Sequence, residues 1–264
     1  MSEKKRYHRG RRKNKKKKGV VGNIILIVAS VVFCVSAFQL FNIYNGYHEG
    51  KSEYDNVKKL AIEADPAEDG GDKFLVNFDE LLKINPDTVG WLRFYPEPAQ
   101  INYPLVQGKD NSLYLNKTFS ANENTVGAIF VNVYNHADFN DRNTIIYGHR
   151  MNDSSMFHDL SKYEDKAFWE ANPYFYIYTP DGREITYHIY SAGVVPDTSD
   201  TYLTEFASDE DYQAFLDMTK EVAAYDTGIE VDVQDQIVTL STCTKASNHD
   251  RFVVRGVKES EKIQ

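Results

Sequence analysis

Residues 20–41 form an uncharged stretch of 22 residues, VVGNIILIVASVVFCVSAFQLF. As an α-helix this stretch would be roughly 33 Å long, which is enough to cross the hydrocarbon core of a bilayer. Residues 1–18 precede it with eleven Lys/Arg and one acid, whereas the remainder of the chain has 19 Lys/Arg and 38 Asp/Glu. Because basic flanks of a first hydrophobic segment stay in the cytoplasm, the pattern predicts a single-pass anchor with the N-terminus inside and the acidic remainder outside.

Other interpretations of the N-terminal region are weaker. A nucleic-acid-binding arm would explain the basic residues but not their junction with an apolar stretch. The VSA sequence at 35–37 resembles a signal-peptide cleavage site, but the apolar stretch is long for a secretory signal. Phe33 is bulky where a lipoprotein site at Cys34 would need a small residue. We therefore predict a basic cytoplasmic tail over 1–19, a transmembrane anchor over 20–41 and no nucleic-acid partner.

The chain contains only two cysteines, Cys34 and Cys243. Disulfides are the usual use of cysteine outside the cell, but Cys34 lies within the predicted membrane span, which leaves Cys243 unpaired. A free thiol in an external protein is an accident, a buried apolar filler or a reactive group. The cysteine count alone leaves the last two interpretations equally open.

Residues 42–73 are polar and end in a breaker cluster that contains Pro66 and the pair Gly70-Gly71. Residues 52–64 have apolar side chains at helical spacing, so we predict a spacer or an accessory helix here. Residues 79–84 predict a short helix that ends before Pro86.

Short runs rich in Val, Ile, Tyr, Phe and Thr, separated by Gly, Asn, Asp and Pro, dominate the rest of the chain. They predict eight strands, over 90–94, 101–106, 128–133, 144–147, 174–178, 185–194, 236–241 and 252–257. Helices are predicted over 155–163, 165–171 and, most clearly, 208–224, where Ser208 can cap the N-terminus. The pattern indicates one mainly β domain over 74–264, a barrel or sandwich with inserted helices.

Three residues whose side chains could take part in catalysis stand at the ends of predicted strands: His149, Cys243 and Arg251. A thiol becomes a useful nucleophile when an imidazole takes its proton or a cation stabilises the thiolate. An imidazole can then protonate a leaving amine, and a guanidinium can donate to a carbonyl oxygen that becomes negative during attack. Taken alone, His149 would be interpreted as an ordinary loop residue, and Arg251 as a surface residue that forms an ion pair with an acid. Together the three predict a cysteine acyltransferase or peptidase.

Two further groups are weaker candidates. Ser241 shares a strand face with Cys243 and could contact a substrate, although a structural role is at least as good an explanation. The turn at 136–141 offers oxygen ligands but lacks a Glu-terminated twelve-residue calcium loop, so we interpret it as a solvated turn.

The stretch TLSTCT, which contains Cys243, and Arg251 eight residues after the cysteine resemble the active-site strand and loop of sortases. The stretch NTIIYGH, which ends in His149, is similar to the histidine strand of that family. Residues 90–257 resemble class B sortases in particular, through GWLRF at 90–94, INYPLVQ at 101–107 and the long helix before the cysteine strand. The TLxTC motif with its spaced histidine and arginine is more specific than any lone short motif.

The resemblance implies an eight-stranded β-barrel with added helices, displayed on the outer face of a Gram-positive bacterial membrane. It implies a transpeptidase that uses no metal or other cofactor. Cys243 would attack a threonine carbonyl within a C-terminal sorting signal of the Asn-Pro-x-Thr or a related type. Arg251 would stabilise the oxyanion and His149 would protonate the departing amine. An amine of a cell-wall peptide, or a pilin lysine, would then resolve the thioester.

Two other classes of protein stay open on the sequence. A cell-wall cysteine peptidase or amidase of the papain-like kind would only hydrolyse its substrate, but those enzymes place cysteine at a helix N-terminus and histidine later in the chain. A non-enzymatic anchored binding domain would keep Cys243 as a buried residue.

Overall fold

The computed structural model describes residues 15–66 and 72–264, and the side chains of 20–62 and 74–264. Residues 1–14 of the predicted basic tail and the Gly70-Gly71 pair lie outside the described residues. The chain divides into two compact units between Asn45 and Gly46. In the first unit, the described residues belong to helix α1 (Lys15–Ala61), which continues into the second unit.

The apolar side chains of residues 20–41 are exposed along α1. Within the described part of the chain, α1 is the one helix long and apolar enough to cross a membrane. Its length and composition are consistent with the predicted anchor.

The predicted accessory helix over 52–64 is part of α1, but α1 ends at Ala61. Residues 62–64, predicted as helix, belong instead to strand β1 (Ile62–Pro66), which pairs antiparallel with β2 (Asp72–Val76). The amide of Asn77 donates to the Ala61 carbonyl at 2.8 Å, and Pro66 disfavours helical backbone in the residue before it. Both effects favour the short hairpin over a longer helix.

Helix α2 (Phe78–Ile84) follows β2, and eight further strands then close into a barrel. These strands are β3 (Thr88–Phe94), β4 (Asn102–Val106), β5 (Ile129–Val131), β6 (Asn143–Tyr147), β7 (Tyr174–Tyr178), β8 (Arg183–Pro196), β9 (Ile237–Cys243) and β10 (Asp250–Ile263). The order around the barrel is β10-β8-β7-β3-β4-β5-β6-β9, and β9 pairs with β10 to close it. The predicted eight-stranded barrel is confirmed, and each predicted strand overlaps one of these eight.

Two neighbouring pairs in the barrel are parallel, β4 with β5 and β6 with β9, and the other six are antiparallel. Parallel neighbours need a long crossover connection. Between β6 and β9 this connection contains β7, β8 and the helices that the sequence predicted. As a result, the histidine-bearing and cysteine-bearing strands are neighbours although they are far apart in the chain.

The inserted helices are α3 (Lys166–Ala171), α4 (Asp209–Glu221) and 3₁₀ turns at Leu113–Leu115, His158–Glu164 and Asp200–Tyr202. Ser208 caps α4, accepting a hydrogen bond from the Asp211 amide, as predicted. In place of the helix predicted over 155–163, the structure has the shorter 3₁₀ turn that begins at His158. The Asp153 carboxylate accepts hydrogen bonds from the amide and hydroxyl of Ser155, which keeps that residue out of the helix.

Candidate active site

The parallel pairing of β6 with β9 sets the positions of His149 and Cys243. Tyr147 is in register with Ser241, and the amide of Gly148 donates to the Ser241 carbonyl at 3.2 Å. His149 lies two residues beyond Tyr147, and Cys243 lies two residues beyond Ser241. The two strands therefore deliver the imidazole and the thiol to the same end of the barrel.

Antiparallel pairing of β9 with β10 places Arg251 directly opposite Cys243. Facing side chains of an antiparallel pair have Cβ atoms roughly 5 Å apart. Cys243 ends a strand whose preceding six residues are all buried, yet it is itself exposed. The thiol thus meets the predicted condition for reactivity, which is a boundary position between core and solvent.

Three groups hold the Arg251 guanidinium. Its Nη1 donates to the carbonyls of Asn248 at 2.7 Å and Asp250 at 3.1 Å, and Nη2 donates to Asp197 Oδ2 at 3.4 Å. A guanidinium has five N–H donors, so among the described contacts two remain for a substrate oxygen. The side chain is 25% exposed, which leaves it accessible while its orientation is fixed.

The imidazole of His149 is oriented by the backbone. Its Nε2 lies 2.6 Å from the carbonyl oxygen of Leu115. A carbonyl oxygen can only accept, so this contact assigns the hydrogen to Nε2. Nδ1 is then the ring nitrogen that can exchange a proton with a thiol or an amine.

One cavity of about 230 Å³ brings the three residues together. His149, Cys243 and Arg251 line it with Ser241, Thr242, Gly148, Asn111, Leu115, Phe130 and Tyr147. A larger cavity of about 400 Å³ is lined by residues of α1 and the 153–156 loop, but it contains no cysteine or histidine. The smaller cavity therefore holds the thiol and the imidazole together.

Two tyrosines lie next to Ser241, and Tyr147 of these lines the cavity. Tyr147 and Tyr202 stack with ring centroids 6.1 Å apart, and the Tyr202 hydroxyl lies 2.9 Å from Ser241 Oγ. Burial raises the pKa of Tyr147 to about 12 and raises the pKa of Tyr202. Both phenols therefore stay neutral at physiological pH. Ser241 lines the cavity, but its hydroxyl already has a partner in Tyr202.

The 136–141 segment forms a turn closed by Asp141. The Asp141 carboxylate accepts from Asn135 Nδ2 and the His136 amide and contacts His136 Nδ1 at 2.7 Å. In the described part of the chain, no cluster of three or more His, Cys, Asp or Glu could hold a metal ion.

Sequence patterns gave no indication of the groups that orient the three residues. Asp197 contacts Arg251 from 54 residues away in the chain, and Leu115 contacts His149 through its backbone carbonyl. Asn111 reaches the cavity from the loop before a 3₁₀ turn. A carbonyl has no sequence signature, and only the closed barrel brings these loops to the strand ends.

The chain is similar to known proteins over most of its length. The Sortase domain family matches residues 97–259. Sortase B of Listeria monocytogenes is 32% identical over 244 residues, which span 90% of this chain and 97% of that protein. The structure of sortase B from Bacillus anthracis in complex with AAEK1 is 32% identical, with a TM-score of 0.71, and the match covers 82% of this chain and 99% of that one.

Two further sortase B structures are each 35% identical to this chain, with a TM-score of 0.64. One is a substrate complex of the Staphylococcus aureus enzyme, and the other is a complex with triglycine. Each match covers 69% of this chain, and 84% and 85% of those chains.

A closed barrel that presents an exposed thiol at a strand end, opposite an arginine and beside a histidine, defines a β-barrel cysteine enzyme. The family and structural matches narrow that class: the chain belongs to the sortase family, and its relatives are class B sortases. It is therefore a cysteine transpeptidase.

Proposed function

We propose that this sortase cleaves a C-terminal sorting signal after threonine, forms a thioester on Cys243 and transfers the protein to an amine. The observation that carries the proposal is the shared cavity lined by Cys243, His149 and Arg251. A sortase B whose structure is described as a substrate complex, and another complexed with triglycine, support a peptide donor and an amine acceptor.

In the first step the Cys243 thiolate attacks the threonine carbonyl carbon, forming a C–S bond while the carbonyl oxygen becomes an oxyanion. The two remaining N–H groups of Arg251 stabilise that oxyanion. The C–N bond then breaks, and the leaving amine takes its proton from the His149 imidazolium. The product is an acyl thioester, which keeps the acyl group activated.

In the second step an amine attacks the thioester carbonyl and the Cys243 thiolate leaves. The attacking amine gives its proton to His149, which restores the starting protonation of the site. The acceptor is an amine of a peptidoglycan peptide or a pilin lysine. Ser241, held by Tyr202, shapes the wall along which the peptide lies.

The test uses the full chain in detergent micelles with an Asn-Pro-x-Thr peptide and triglycine. Mass spectrometry should find ligated peptide and an acyl adduct on Cys243. Cys243→Ala and His149→Ala should abolish both, whereas Cys34→Ala, which removes the other cysteine, should keep both. Ligation that survives Cys243→Ala would overturn the proposal, and hydrolysis unaffected by triglycine would identify a peptidase instead.

The same proposal includes an arrangement at a Gram-positive cell membrane. Residues 1–19 form a cytoplasmic tail, 20–41 the single-pass anchor, 42–73 the spacer with its accessory helix, and 74–264 the external catalytic domain. The basic tail before the anchor supports this orientation. Protease added to intact protoplasts should digest the catalytic domain, and a domain that stays protected would reverse the topology.

A further inference from the structure

One edge of the His149 ring lies against a single backbone segment, residues 114–128. The Leu115 carbonyl contacts Nε2 at 2.6 Å. Gly127 lies at the same edge of the ring, where an added Cβ would come within 2.8 Å of His149 Cδ2 and 2.8 Å of the Leu115 oxygen. Gly127 also has a positive φ of 65°, which glycine adopts without strain. The position of this segment therefore determines the position of the ring.

The hydroxyl of Tyr54, on α1, bridges two parts of this segment. It donates to the Gly127 carbonyl at 2.7 Å and accepts from the Phe119 amide at 3.2 Å. Tyr54 is 4% exposed, and its ring packs edge-on against Tyr103 with centroids 5.3 Å apart. Burial raises the pKa of Tyr54 well above its ordinary value, so the hydroxyl keeps its proton as a donor.

Neighbouring residues of α1 hold the same segment. The carboxylate of Glu53 accepts from three groups of the segment: the Ser120 amide at 2.9 Å, the Thr118 hydroxyl at 2.8 Å and the Asn122 side-chain amide at 3.2 Å. The Gly46 carbonyl accepts from Asn124 Nδ2 at 2.9 Å. The segment is thus attached to α1 at several points between Thr118 and Gly127.

We propose that Tyr54 is a positioning residue for His149, and that residues 46–54 of α1 hold the segment that orients the imidazole. Tyr54 does not line the cavity that contains the thiol; it acts through Gly127 and Leu115. This inference rests on the proposed role of His149 in proton transfer. It gives the part of α1 that follows the predicted anchor a role in positioning the imidazole.

The experiment compares Tyr54→Phe with Tyr163→Phe in the full chain in micelles. Tyr163 is the matched control, because it is also buried and its hydroxyl donates to a backbone carbonyl, that of Asn172, at 2.8 Å. Tyr54→Phe should lower kcat roughly tenfold to a hundredfold, as expected for a misplaced catalytic group, and leave KM within about twofold. Tyr163→Phe should lower the Tm without changing kcat.

A second readout does not depend on turnover. In chain labelled with ¹³C-histidine, the His149 resonance is assigned by its loss in His149→Ala. Tyr54→Phe should shift it and Tyr163→Phe should not. Glu53→Ala loosens the same segment without removing a buried hydroxyl, so it should shift the His149 resonance in the same way. This variant provides the test if Tyr54→Phe does not fold.

Unchanged kcat and an unshifted His149 resonance in Tyr54→Phe and Glu53→Ala would overturn the inference, as would an equal loss of kcat in Tyr163→Phe. Full turnover by His149→Ala would instead show that the proposed function is wrong. The two failures are therefore distinguishable.

Discussion

At the scale of single residues, Arg251 combines charge with a planar fork, and only the charge survives replacement by lysine. Arg251→Lys should lower kcat by about 10²–10³-fold, the usual effect of removing an oxyanion donor. The reason is that one ammonium cannot keep the contacts to Asn248, Asp250 and Asp197 and also bind the oxyanion. Arg183→Lys, at the start of β8 away from the cavity, is the control. Near-normal peptide turnover in Arg251→Lys would exclude the arginine from this role.

The stability of the folded chain depends on pH through His188. Burial lowers the pKa of His188, although nearby Glu259 partly offsets this effect. The unfolded chain therefore binds a proton at His188 more readily than the folded chain, so stability rises with pH through the range between the two pKa values. His188→Gln should show a smaller rise in Tm than wild type between about pH 5 and about pH 7.5.

His136 provides the opposite case in the same experiment. Asp141 raises the pKa of His136, so the stability that this pair contributes is present at low pH and is lost as pH rises through the raised pKa. His136→Gln should therefore steepen the rise in Tm with pH. If Tm rises equally with pH in wild type and His188→Gln, burial of His188 does not lower its pKa.

Sequence reasoning identified the three candidate catalytic residues more readily than the groups that orient His149 and Arg251. Cys243 ends β9, His149 follows the end of β6 by two residues and Arg251 is the second residue of β10, so strand pairing places all three at one rim. Asp197, the Leu115 carbonyl and Tyr54 come from loops and from α1. No local pattern marks them, because their contacts exist only once the barrel is closed.

At the scale of elements, Asn143 connects three parts of the fold. From the start of β6 its side chain donates to the carbonyls of Thr201 and Leu203 and accepts from the Thr239 hydroxyl on β9. Asn143 and Thr239 are both fully buried. The histidine strand, the cysteine strand and the turn that carries Tyr202 thus share one buried amide.

Asn143→Ala should lower the free energy of unfolding by about 1–3 kcal/mol for each polar group left buried without a partner. Thr239→Val removes only the hydroxyl bond and keeps the side-chain volume, so its loss should be smaller. Urea unfolding of both variants measures the difference. A larger loss for Thr239→Val would mean that Asn143 does not join these elements.

Strand prediction succeeded in this chain because the barrel strands are apolar and bounded by turn residues. The errors in helix prediction lie where a side chain or a neighbouring strand takes the hydrogen bonds that the helix would have used. Asp153 shortened a predicted helix by binding Ser155, and the predicted accessory helix ends at Ala61 because the next residues pair with β2. The sequence pattern also did not show that the anchor and the accessory helix form one helix, because α1 runs without a break through residues 41–52.

At the scale of the whole molecule, the boundary between the compact units lies inside α1 and not at its end. Residues 46–61 belong to the barrel unit, where Tyr54, Val57 and Ala61 are part of the main hydrophobic core. The segment that the sequence assigned to a spacer therefore supplies core side chains. A catalytic domain defined from residue 74 lacks them.

This arrangement predicts different outcomes for two truncations of the chain. A chain of residues 46–264 should unfold cooperatively in urea and retain peptide turnover, because it contains the complete barrel unit. A chain of residues 62–264 should lose several kcal/mol of stability, since deleting one large buried side chain already costs about 2–5 kcal/mol. It should also lose turnover, because the supports of the 114–128 segment are gone. If both truncated chains unfold at the same urea concentration and turn over peptide equally, residues 46–61 contribute neither to the core nor to the site.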